Sequence, residues 1–60
     1  MNTEAGTKAA IEMTRWGGGF SEAIGRAYLK ADLENARRLI KAFPELFEHY
    51  TPTNEEAENA

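Results

Sequence analysis
The chain has 60 residues, no cysteine, a single histidine and a formal net charge of −3. That length allows one small domain, which buries only about 60% of the surface its unfolded chain exposes, and the lack of cysteine excludes a disulfide framework and a thiolate metal site. No apolar run approaches the roughly 18 to 20 residues that span a bilayer, and the opening "MNTEAGTK" lacks the charged-then-apolar order of a signal peptide.

Alanine, leucine, glutamate, lysine and arginine dominate and valine is absent, a helix-forming composition. A first helix is predicted after Thr3, a permitted N-cap followed by Glu4, whose charge suits the positive end of the helix dipole. Ala9, Met13 and Trp16 fall at steps of four and three on one face, with Ala10 and Ile11 widening the stripe. The helix should end at Gly17.

Gly17, Gly18 and Gly19 each cost about 0.8 to 1.0 kcal/mol relative to alanine inside a helix, so they mark a break. Glycine just past a helix end can take the left-handed conformation that closes the last turn. Ser21 then offers an N-cap with Glu22 in the first turn, and Phe20, Ile24, Ala27 and Tyr28 supply the apolar face of a short second helix. A phosphate cradle at the glycine run would exploit backbone N–H groups at a helix start. However, "GGGFSEAIG" lacks the lysine, hydroxyl and strand context of a nucleotide loop.

Asp32 is a strong N-cap for a third helix. Leu33, Ala36, Ile40, Phe43, Phe47 and Tyr50 follow alternating steps of three and four, the strongest periodic signal in the chain. Pro44 interrupts the series, because its ring would clash with the carbonyl of Ile40. A short terminal helix from Pro44 to Tyr50, with proline in its first turn, keeps the phase. The expected architecture is an all-α bundle of three to four short helices over residues 1–50, with a helical hairpin at its centre. The segment from 51 to 60 has no large apolar residue and reads as a disordered acidic tail.

Charge is segregated along the chain. Arg15 to Lys41 carries six basic and three acidic side chains, whereas five acidic residues and no lysine or arginine follow. Catalysis has little support: His49 with Glu45 and Glu48 falls short of the usual metal ligand set, and Ser21 has no evident triad partner. Neither an enzyme nor a cofactor or metal is expected. By default Trp16, Phe20, Phe43, Phe47 and Tyr50 are core. Any ring left exposed would anchor an interface, where tryptophan, tyrosine and arginine concentrate binding energy, and Trp16 and Tyr28 are the candidates. Arg26, Lys30, Arg37, Arg38 and Lys41 would form the polar rim.

Ser21 to Lys41 also fits the spacing of a helix-turn-helix unit, with Ala23, Ala27 and Leu33 at its small and aliphatic positions. Its second helix would offer Arg37, Arg38 and Lys41 to DNA. Against this, Ala27 stands where the turn favours glycine, and Asp32 and Glu34 sit near the end that should face bases.

The segments "GGFSEAIGRAYLKAD" and "ARRLIKAFPELFEHY" resemble short helical proteins encoded in phage and prophage accessory regions. The resemblance covers residues 18–50 and implies a small protein of a mobile element, without a shared activity. Genes of that kind often make inhibitors of host proteins, including anti-CRISPR and other anti-defence factors, or small regulators. The expected function is a non-catalytic protein that binds, and thereby inhibits, a bacterial host protein in the host cytoplasm. It would act as a homodimer or within a complex, because so small a core needs added support. A dimeric helix-turn-helix regulator binding nucleic acid is the alternative. A third reading makes the acidic residues mimics of phosphate.

Overall fold
The computed structural model describes residues 2–51. Four helices follow in order: α1 (Thr3–Trp16), α2 (Gly18–Lys30), α3 (Leu33–Ala42) and α4 (Pro44–Tyr50). The all-α expectation is met, and no strand occurs among the described residues. The acidic segment predicted from 51 onward lies outside these residues, apart from Thr51, whose hydroxyl donates to the Phe47 carbonyl at 2.6 Å.

Two starts differ from the sequence reading. The cap of α1 is Asn2, one residue earlier than Thr3: its side-chain oxygen accepts from the Ala5 N–H at 2.8 Å. The second helix begins at Gly18, three residues before Ser21, so Glu22 is not in the first turn and instead pairs with Arg26. The glycine penalty is lowest at a helix end, where the first N–H groups have no intrahelical partner to lose. Two expectations hold. The Asp32 side chain caps α3 by accepting from the Asn35 N–H at 3.2 Å, and Pro44 stands in the first turn of α4.

The three glycines divide the work of the turn. Gly17 closes α1, its N–H donating to the Met13 carbonyl at 3.0 Å. A Cβ there would stand 2.5 Å from that carbonyl and from the Ser21 Cβ. Gly18 carries the chain through φ +73°, a backbone region that side chains with a Cβ enter at a cost of about 1–2 kcal/mol. A Cβ at Gly19 would meet open space.

This reversal folds α2 back along α1. Gly25 faces Ala10 and Met13, while Tyr28, further along α2, faces Gly6 near the start of α1, so the two helices run antiparallel. The approach is close: a Cβ on Gly25 would lie 2.7 Å from the Ala10 carbonyl, and one on Gly6 would lie 2.5 Å from the Tyr28 hydroxyl. Tyr28 bridges the pair, donating to the Thr3 carbonyl at 2.8 Å. Phe47 of α4 covers it, with ring centroids 5.2 Å apart. The buried hydrophobic core is Ala9, Ala10, Met13, Tyr28, Ala36 and Phe47, flanked by partly buried Ile24, Leu39, Ile40, Phe43, Leu46 and Tyr50.

Candidate functional site
The corner between α1 and α2 leaves two aromatic rings outside the core. Trp16 keeps the phase of Gly6, Ala9, Ala10 and Met13, but it is the last residue of α1 and the chain turns away at Gly17. It is 75% exposed, and its indole N–H donates to the Glu12 carboxylate at 2.7 Å. Phe20 is 62% exposed. A row that steps by four drifts about 40° per step around a helix of 3.6 residues per turn, so Phe20 stands roughly 80° away from buried Tyr28. Of the two rings, both core by default in the sequence, Phe20 keeps one aromatic contact, with Phe43, their rings meeting edge to face at 5.7 Å. Phe20, Phe43, Pro44, Leu46 and His49 line an open cleft of about 530 Å³, with Glu45 beside them.

Tyr28 must be removed from the candidate anchors. At 4% exposure it is core, because its ring fills the gap opposite Gly6 and its hydroxyl is held by Thr3. The basic candidates are all on the surface. Arg26 pairs with Glu22 at 2.9 Å within α2, and Lys30 stands in the last turn of that helix. On α3, Arg37, Arg38 and Lys41 share an outer face with Leu33 and Glu34, and Arg38 pairs with Glu34 at 2.9 Å. Pairs this exposed contribute about 0.2–1 kcal/mol at most. Arg37, Arg38 and Lys41 are therefore brought together, whereas Trp16 belongs to the other corner.

The positions that suggested a helix-turn-helix unit do not pack between two helices. Ala23 and Ala27 are exposed, Leu33 is 56% exposed, and only Ala31 and Asp32 separate the helices. Sequence reasoning missed Phe20 and Leu29, the latter 46% exposed, as surface residues. The rotation of Phe20 away from Tyr28 was the available signal.

Among the described residues, no group of three or more His, Cys, Asp or Glu is placed to hold a metal ion. No charged side chain is buried there either. His49 stacks edge-on against Tyr50 at 4.8 Å. No described helix is long and apolar enough to cross a membrane. Comparison with protein-family models, with curated proteins and with solved structures found no match to this chain.

Proposed function
We propose that this chain is a non-catalytic binding module that docks onto a protein through the aromatic corner of α1 and α2. The observation that carries the reading is the exposure of Trp16, at 75%, in a chain with six buried hydrophobic residues among the described ones. A tryptophan offers roughly 150–250 Å² of surface, and burial is worth about 25 cal/mol per Å². The fold leaves most of that free energy unused, and a partner can claim it. Phe20, four residues on across the turn, is a second exposed ring and lines the open cleft with Phe43 and Leu46, and large aromatic anchors of this kind dominate binding energy at interfaces.

The resemblance to phage and prophage accessory proteins makes a bacterial host protein the partner class, and inhibition of that protein, as by an anti-CRISPR or other anti-defence factor, the effect. The test is capture of partners from bacterial lysate by the tagged chain and by its Trp16→Ala and Phe20→Ala variants, with and without nuclease. A stoichiometric protein that survives nuclease and is lost with both variants is the expected result. Recovery of nucleic acid with only nuclease-sensitive proteins, or capture indifferent to both rings, would overturn the reading.

A further inference from the structure
The outer face of α3 is a second surface, with its own chemistry. Leu33, Arg37 and Lys41 form one row at steps of four, Glu34 and Arg38 the next, and together they line a shallow groove of about 470 Å³. Glu34 is taken by Arg38. Among the described residues neither Arg37 nor Lys41 has an ion pair, so the face carries two unneutralised positive charges around an exposed leucine. Ala36 is the only residue of α3 that is fully buried, which leaves this side of the helix open along its length.

We infer that this face docks an acidic amphipathic helix of a protein partner, one whose carboxylates flank leucine or phenylalanine side chains. Charge complementarity selects carboxylates for Arg37 and Lys41. Their spacing of one helical turn, about 6 Å, matches carboxylates one turn apart on a facing helix. Leu33 selects a protein over a polyphosphate, because an apolar side chain in the row has nothing to gain from a phosphate backbone. The net charge of −3 on the whole chain also opposes a long polyanion more than a short helix, since each added phosphate brings more repulsion from the acidic parts. The inference rests on the reading of the chain as a binding module, but not on Trp16.

The experiment is an amide-shift NMR titration of the full chain with a synthetic amphipathic peptide of glutamate, alanine and leucine. A matched peptide with lysine for glutamate, one without leucine and a short DNA duplex serve as comparisons. Shifts confined to Leu33, Arg37, Lys41 and their neighbours are expected with the acidic leucine peptide. The Arg37→Glu/Lys41→Glu variant should weaken that binding roughly tenfold, the sum of two lost exposed pairs and two repulsions, while Trp16→Ala should leave it unchanged.

Four outcomes would overturn the inference: no shifts on α3, equal shifts with the lysine peptide, equal shifts with the peptide lacking leucine, or shifts with the duplex alone. So would α3 shifts produced merely by truncation after Thr51, which would make the acidic segment of the chain itself the occupant. Failure here with intact Trp16-dependent capture would leave the proposed function standing, and the reverse result would sink that function alone.

Discussion
The pair α1–α2 and the helix α3 solve the same problem in opposite ways. Between α1 and α2 the backbones approach so closely that Gly25 has no space for a Cβ against the Ala10 carbonyl, Gly6 is covered by the Tyr28 ring and the Ile40 side chain, and Ala9, Ala10 and Met13 are fully buried beside them. Helix α3 buries Ala36 alone, holds its start with the Asp32 cap, and gives most of its surface to charge. Among the described residues, half of the six buried hydrophobic ones are alanine. A chain this short gains its contacts from small residues at close range, and that leaves large side chains free for the surface. The difference places stability in the first hairpin, and the proposed binding role gives recognition to the corner at Trp16 and to α3.

The largest effect should come from Phe47→Ala, which empties the ring that covers Tyr28. Losses of about 3–5 kcal/mol are usual for buried phenylalanine, comparable to the whole stability of a small domain, so far-UV circular dichroism should find the variant largely unfolded. Gly25→Ala comes next. It adds a better helix former, yet its Cβ would meet the Ala10 carbonyl, and overpacking of this kind costs about 1–3 kcal/mol in urea denaturation. A gain in stability would break the account of the α1–α2 contact.

Gly18→Ala should lose about 1–2 kcal/mol because of its positive φ, whereas Gly19→Ala, with open space around it, should be neutral or gain a few tenths of a kcal/mol. Equal effects at the two positions would mean that the turn is not built as described. The smallest effects belong to the outer face of α3: Arg37→Ala and Lys41→Ala should stay within about 0.5 kcal/mol of the parent. A larger loss at either would move α3 into the stabilising half of the comparison.

Much of this was legible in the residues. Asp32 and Pro44 announce helix starts by a side-chain acceptor and a missing N–H, and the apolar series ending at Phe47 and Tyr50 places α4 on the core. Gly6 and Gly25 were not legible as packing sites. A glycine inside a helix reads as a propensity penalty, and only the carbonyl of Ala10 and the ring of Tyr28 on the facing helix explain it. The row of Gly6, Ala9, Ala10 and Met13, at helical spacing, was the hint. Periodicity put Trp16 and Tyr28 alike on apolar faces, and of the two rings named as candidate anchors only Trp16 is exposed. Periodicity reports the phase of a side chain, but not whether another helix reaches that turn.

Trp16 is the single tryptophan of the chain, so its fluorescence tests the central claim without any other variant. Its emission and acrylamide quenching should be compared in the folded chain and in urea. The account predicts that the folded protein already shows the red-shifted emission and ready quenching of a ring in water, nearly unchanged on unfolding. A blue-shifted, protected signal that is lost in urea would place Trp16 in the core and contradict the assignment of the α1–α2 corner to a partner.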